Sequence, residues 1–515
     1  MTSTISSAPV VDTTRGRVRG AVGDGIASFR GIPYGAPTGG AARFTPPRLP
    51  EPWTGVRDAL EYGAIAPQTA AGAPVSATMA LEGGAGRESE DCLFLNVFTP
   101  GIEGASAAGR PVMFWCHGGG FVSGSGGPAY DGSNLARRGD VVVVTINHRL
   151  GALGYCHLEE IGGPEFAASG NAGMLDIVAA LEWVRDNISA FGGDPKNVTV
   201  FGESGGGRKV AALLAMPPAQ GLFHRAIIQS GPGIRVNEGD YATTLASTFI
   251  EECGVSSAED LRDVPLDRLM AAQFATAARV PSSNARGGFR PVLDAETLPA
   301  HPFDPVGPAM SASVPVMIGF NRTEATLFLA NDKEAFELDA DGLVRRTERI
   351  FKDEAPRVLD AMRTLYPAAS PSDLYLLIHT GWLRYPIDSI KLAERRAAQG
   401  RAPVYLYKFE WETPARYGQL RTPHALEIPF VFDNVNLGTW QSFTRGTPEA
   451  SALAEKVSGT WAAFARTGDP NGAGLPQWQP YNSETRRTMV INNESDLVAD
   501  PAAGERQLWN SVFYA

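Results

Sequence analysis

The stretch Asn197-Val-Thr-Val-Phe-Gly-Glu-Ser-Gly-Gly-Gly-Arg-Lys-Val-Ala-Ala-Leu-Leu214 decides how the rest of this 515-residue chain is read. Its first part, Val198 to Phe201, is β-branched and aromatic, the composition of a buried strand, and its last part has the Ala and Leu content of a helix packed on a sheet. Between them, Gly202-Glu203-Ser204-Gly205-Gly206 is G-x-S-x-G in a strand-turn-helix setting, where the turn is too tight for side chains on either side of the serine. The pattern predicts that Ser204 projects above a sheet at the N-terminus of the following helix. A Gly-rich turn with an incidental serine would look the same in isolation, so the decision falls to the rest of the chain.

Upstream, Leu93-Phe-Leu-Asn-Val-Phe98, Pro111-Val-Met-Phe-Trp-Cys116 and Val141-Val-Val-Val-Thr-Ile-Asn147 are mainly apolar runs, the last two too continuous for strands with one wet face. Asp176 to Ile188 reads as an amphipathic helix, stopped by Phe191-Gly-Gly-Asp-Pro195. Downstream, Ala226-Ile-Ile-Gln-Ser230, Val314-Pro-Val-Met-Ile-Gly-Phe320 and Val404-Tyr-Leu-Tyr-Lys-Phe-Glu410 return to strand, the Val404 run as the last strong one, with Glu449 to Thr467 as a closing helix. Strands alternating with helices predict an α/β fold with a large, mainly parallel central sheet and helices on both faces. Helical patterns at about 240–310 and 333–400, including Lys333 to Leu343 and Asp388 to Gln399, read as insertions into a single domain spanning 1–515, with residues 1–9 frayed. Residues 10–65 read as short antiparallel strands with an extended wrap, and the Ala/Gly/Ser-rich segment 69–89 as a mobile loop.

The net charge of −11, with Lys and Arg scattered, argues against nucleic acid or an anionic membrane surface as a partner. No apolar stretch is long enough to span a membrane, and the Met1 end lacks the basic start and apolar core of a signal peptide, so the expected location is cytoplasmic. Cys92, Cys116, Cys156 and Cys253 show no C-x-x-C spacing and are expected as buried free thiols. Oligomeric state is left open.

A serine hydroxyl is a weak nucleophile and needs an imidazole to take its proton and a carboxylate to orient that imidazole. In folds that carry such an elbow the order is Ser, acid, His. Order removes His117, His148 and His157; His224 follows the serine too closely, His379 sits in a helical stretch, and His301 leaves little room for an intervening acid. His424, in the connection Arg421-Thr-Pro-His-Ala-Leu-Glu427, remains. Glu324 directly follows the Val314–Phe320 run and is preferred as the acid over Asp294 and Asp304, which lie in Pro-rich connections. Acyl transfer also develops negative charge on a carbonyl oxygen, and His117-Gly-Gly-Gly-Phe121, directly after a strand, offers closely approaching peptide N–H groups, with Gly205 N–H as a further donor.

On these residues the chain resembles the type-B carboxylesterase and cholinesterase-like branch of the α/β-hydrolases. The resemblance runs from Phe29-Arg-Gly-Ile-Pro-Tyr34 through Glu90-Asp-Cys-Leu-Phe-Leu-Asn-Val97, His117-Gly-Gly-Gly-Phe121, Asn147-His-Arg-Leu-Gly151, Gly170-Asn-Ala-Gly173 and the elbow. It continues through Gln229-Ser-Gly231, Gly319-Phe-Asn-Arg-Thr-Glu324 and His424-Ala-Leu-Glu427 to Phe464-Ala-Arg-Thr-Gly-Asp-Pro-Asn471. It implies an α/β-hydrolase fold with helical insertions over the active site, Ser204 as nucleophile, Glu324 as acid and His424 as base. The oxyanion donors it implies are Gly119, Gly120 and Gly205; Ser230 resembles a hydroxyl near the triad acid, Glu203 flanks the nucleophile, and Arg149 and Asp176 resemble a structural ion pair.

The implied activity is hydrolysis of a small-molecule carboxylic ester by water through an acyl-enzyme, without metal or organic cofactor. Alternatives are the same machinery acting on amides, carbamates or lipid esters, or a non-catalytic binding protein on this fold. Secreted relatives pair the cysteine matching Cys92 with one near Ala66, a bridge that cannot form here. Cholinesterases carry a tryptophan in the 69–89 loop to bind a quaternary ammonium, and none stands here. Ser282 to Phe289, Phe328 to Asn331 and Trp382 to Tyr385 are expected as pocket walls. Relatives commonly have Ala where Gly205 stands, and Gly205→Ala is expected to retain activity and modestly stabilise the fold if φ there is negative.

Overall fold

The β-branched and aromatic runs assemble into one eleven-stranded sheet. It comprises β3 (Ala21–Gly23), β4 (Ile26–Pro33), β6 (Phe94–Thr99), β7 (Arg110–Cys116), β8 (Val142–Ile146), β9 (Gly193–Glu203), β10 (Arg225–Gln229), β11 (Val316–Asn321), β12 (Val404–Phe409), β13 (Arg487–Ile491) and β14 (Asp496–Ala499). A smaller sheet joins β1 (Val10–Thr13), β2 (Gly16–Arg19) and β5 (Val56–Asp58). This computed structural model describes residues 8–68, 86–102, 109–280 and 288–514, so most of the expected 69–89 loop, the expected pocket wall at 282–287 and most of the frayed start lie outside the described residues.

The large sheet runs in the order β14-β13-β12-β11-β10-β9-β7-β8-β6-β4-β3. From β8 through β7, β9, β10, β11 and β12 to β13 every neighbouring pair is parallel, while the edges at β14 and at β6, β4 and β3 are antiparallel. Parallel strands are wet on neither face, which explains their unbroken apolar composition. Along β7 the side chains alternate: Val112, Phe114 and Cys116 enter one core, and Met113 and Trp115 the other.

Register carries the functional consequence. Cys116 lies opposite Gly202, Glu203 opposite Gln229, and Gln229 opposite Gly319. The residues just beyond β7, β9, β10 and β11 therefore emerge together at the carboxyl edge of the sheet, where open α/β sheets bind ligands.

Between β10 and β11 stand helices Gly239–Cys253 and Leu266–Arg279, and between β11 and β12 helices Ala340–Phe351, Ala355–Leu365, Pro371–Trp382 and Tyr385–Ala397. The second group builds its own core from Leu343, Val358, Met362, Leu374 and Ile378, closed by Trp509. Lys333 to Leu343 is not one helix: Asp332 caps a 3₁₀ turn at Lys333–Phe336, and Asp339 accepts from Gly342 N–H to start a new helix at Ala340. The helix expected from Asp176 begins at Ala172, and only Glu182, Arg185 and Asp186 of it are exposed.

Two sequence expectations are corrected at the C-terminal end. The Val404 strand is followed by β13, which pairs parallel to it, and the helix Pro448–Thr467 is followed by β14 and the helix Ala503–Phe513. β13 is five residues with an arginine and a threonine in it, too short and too polar to stand out as a strand. All four cysteines are buried free thiols, and among the described residues no helix is long and apolar enough to cross a membrane.

Candidate active site

β9 ends at Glu203 and the next helix starts at Gly205, so Ser204 alone makes the corner, at φ 55° and ψ −118°. A non-glycine residue there is strained, and the surroundings must hold it. Ser204 N–H donates to Gln229 O at 2.9 Å, and Arg208 N–H donates back to Ser204 O at 3.1 Å. The corner is pressed against the end of β7: a Cβ on Gly206 would lie 1.9 Å from Cys116 O, and one on Gly202 2.6 Å from the same oxygen. Close packing is thus the physical content of these two glycines of G-x-S-x-G.

Beyond Cys116 the loop His117–Phe121 turns over the elbow, with φ of 80° at Gly119, 62° at Gly120 and 71° at Phe121. Gly119 O accepts from Val122 N–H and Ser123 N–H. Among the described residues the N–H groups of Gly119 and Gly120 meet no protein acceptor. Gly205 N–H opens its helix, where no intrahelical acceptor exists.

Glu324 follows β11 and is buried. Its Oε1 accepts from Asn321 N–H at 2.7 Å, and its Oε2 lies 2.5 Å from His424 Nδ1. A carboxylate accepts, so Nδ1 carries the hydrogen and Nε2 is left as a base. The Tyr385 and Phe328 rings, stacked on each other, both pack on the imidazole, with ring centroids 4.8 Å and 5.0 Å away. Its Nε2 makes no hydrogen bond among the described residues, although Glu203 Oε1 stands 3.2 Å from it, out of alignment. Burial lifts the Tyr385 phenol above the ordinary range against the pull of Arg208.

Ser204, Glu203, Glu324 and His424 therefore converge, with Gly119, Gly120 and Gly205 beside them. Ser230 is buried at φ 43°, with its hydroxyl 3.5 Å from Glu427 Oε1. The other histidines and acids are engaged elsewhere: His301 meets Glu238 at 2.9 Å, His224 Nδ1 accepts from Val198 N–H, Asp294 accepts from Asn171, and Asp304 pairs with Arg235 and Arg395. Arg149 and Asp176 form a buried pair at 2.6 Å behind the loop strands.

Sequence reasoning missed two residues here. Glu427 is fully buried, accepts from Asn321 Nδ2 at 2.7 Å, and is pushed up to about 7 by burial and then by the neighbouring Glu324. Its place in His424-Ala-Leu-Glu427 was the available signal. Lys209, five residues after the serine, is also fully buried. Of the expected pocket walls, Phe328 and Tyr385 pack on His424. A cavity of about 500 Å³, lined by Phe121, Arg208, Ile234, Tyr241, Arg290 and Arg384 among others, opens beside the elbow.

A mainly parallel sheet with a strained serine corner at its carboxyl edge defines an α/β-hydrolase. The chain belongs to the carboxylesterase family, whose description, Carboxylesterase family, matches residues 7–509, and it is a carboxylic ester hydrolase. It is 37% identical over 502 residues to the para-nitrobenzyl esterase of Bacillus subtilis, covering 97% of this chain and 98% of that one. It is 35% identical over 502 residues to the phenmedipham hydrolase of Pseudarthrobacter oxydans, covering 95% and 96%. The solved carboxylesterase EST55 of Geobacillus stearothermophilus superposes with a TM-score of 0.81 at 36% identity, covering 97% of this chain and 99% of that one.

Proposed function

We propose that the chain hydrolyses carboxylic esters through a Ser204-His424-Glu324 triad and an acyl-enzyme. The observation that carries this reading is the 2.5 Å contact of Glu324 Oε2 with His424 Nδ1, which leaves Nε2 as the basic nitrogen at the elbow. His424 Nε2 takes the proton of Ser204 Oγ as that oxygen attacks the ester carbonyl, and returns it to the leaving alcohol. Water then enters, is deprotonated by the same nitrogen, and releases the acid. Glu324 keeps the imidazole in one tautomer and stabilises the imidazolium. The N–H groups of Gly119, Gly120 and Gly205 receive the oxyanion, and Ser230 and Glu203 act from behind the triad.

The substrate is a small ester, taken up with water as the co-reactant; the similarity to a para-nitrobenzyl esterase favours esters with an aromatic alcohol. The cytoplasm fits four buried free thiols. A fluorophosphonate should label the protein stoichiometrically, with the adduct on the Ser204 peptide. A folded, unlabelled protein would leave the binding-protein reading.

A further inference from the structure

The helix that follows the elbow carries a charge into the protein. Lys209 is fully buried, in a helix otherwise built from Gly, Ala, Val and Leu apart from Arg208. Burying an ammonium is costly unless its donors are met. Lys209 Nζ donates to His117 O at 2.8 Å and stands 3.5 Å from Gly118 O, and the Phe121 ring centroid is 5.5 Å away. All three contacts are to the loop that presents Gly119 and Gly120.

The two carbonyls matter because of the peptide units to which they belong. Gly118 C=O and Gly119 N–H are the two ends of one peptide, and a cation at the carbonyl end draws electron density from the N–H end and strengthens it as a donor. His117 C=O does the same for Gly118 N–H. The neighbouring His117 and His148 rings are stacked with centroids 4.8 Å apart, and burial, followed by the nearby Lys209, lowers both imidazoles well below their ordinary range, so neither adds a second cation beside Lys209. The loop it grips is tight against the elbow, since a Cβ on Gly205 would lie 2.7 Å from Gly120 N.

We propose that Lys209 is a positioning residue for the oxyanion hole, its ammonium holding the His117–Phe121 loop against the elbow and polarising the Gly118–Gly119 peptide toward the developing oxyanion. This rests on the reading of Gly119, Gly120 and Gly205 as oxyanion donors. The effect belongs to the transition state, because a neutral ester carbonyl draws little on a stronger donor.

The test compares Lys209→Met, which keeps bulk and loses charge, with Lys209→Gln, which keeps a neutral donor. Both are assayed for kcat, KM, cooperative thermal unfolding and inhibition by an aryl trifluoromethyl ketone, whose hemiketal oxyanion mimics the tetrahedral intermediate. For Lys209→Met, kcat should fall roughly 10- to 100-fold with KM within about twofold, and the ketone should weaken by the same factor as kcat. Lys209→Gln should lie between Lys209→Met and the parent. A folded Lys209→Met with unchanged kcat and unchanged ketone affinity would overturn the proposal, as would failure of both variants to fold, which would make Lys209 a residue of fold stability. Fluorophosphonate labelling of the parent at Ser204 separates these outcomes from a failure of the esterase reading itself.

Discussion

Gly205 and Gly120 leave no room for a methyl group between them: a Cβ built on Gly205 would stand 2.7 Å from Gly120 N, 3.0 Å from Gly120 Cα and 3.3 Å from Phe121 N. The backbone of Gly205 lies within the helix Gly205–Leu213 and would accept alanine, which is the basis of the gain expected from sequence. Its surroundings would not, because the obstructing atoms are backbone atoms of the loop that turns over the elbow. Gly205→Ala should therefore push the Gly119–Gly120 peptides outward, lowering kcat by roughly tenfold or more and costing about 1–3 kcal/mol of stability. Steady-state kinetics and denaturant unfolding check this; a more stable variant with unchanged kcat would show that the loop yields freely.

Glu324 holds His424 in one tautomer, and its replacement should be felt in turnover more than in binding. Glu324→Gln keeps the volume but offers an amide where the imidazole N–H needs a carboxylate. By analogy with other triads, kcat should fall roughly 10⁴-fold with KM changed little. A loss confined to KM would remove Glu324 from the triad.

Glu427 gives stability a pH dependence of unusual sign for a carboxylate. Burial, followed by Glu324, raises it from 4.5 to about 7. Between those pH values the folded chain holds a proton that the unfolded chain has lost, so stability falls as pH rises and stays lower above about 7. Glu427→Gln should match the parent near pH 4.5 and exceed it at pH 8.5, by up to about 3 kcal/mol. Denaturant unfolding at the two pH values reads the difference, and a difference that does not grow with pH counts against a protonated Glu427.

Arg149 and Asp176 are buried together, and removing one charge strands the other. Asp176→Asn should cost about 3–5 kcal/mol in denaturant unfolding, while the fraction that remains folded at low temperature keeps its KM. A cost below about 1 kcal/mol would make the pair incidental.

The sequence read well where the signal is local or ordered. The elbow, the H-G-G-G loop and the strand before Glu324 each lie within a few consecutive residues, and the order Ser, acid, His follows from strand order, so Ser204, Glu324 and His424 could be named without coordinates. Lys209, the packing of the expected wall residue Tyr385 on His424, and the role of Glu427 could not. A lysine in a short helix ordinarily reads as solvated, and its burial against the His117–Phe121 loop is a tertiary contact. Tyr385 reaches His424 from a helix that packs across β11 and β12, a tertiary contact with no periodicity to betray it. β13 was hidden because a short strand with a polar start carries almost no pattern.

The central claim is that Ser204 is the nucleophile, and the most direct measurement is hydrolysis of a short-chain p-nitrophenyl ester by purified Ser204→Ala. The hydroxyl is removed while Glu324 and His424 stay in contact, so kcat should fall by on the order of 10⁶-fold with the unfolding transition unchanged. A folded Ser204→Ala protein that hydrolyses the ester within tenfold of the parent rate would contradict the account.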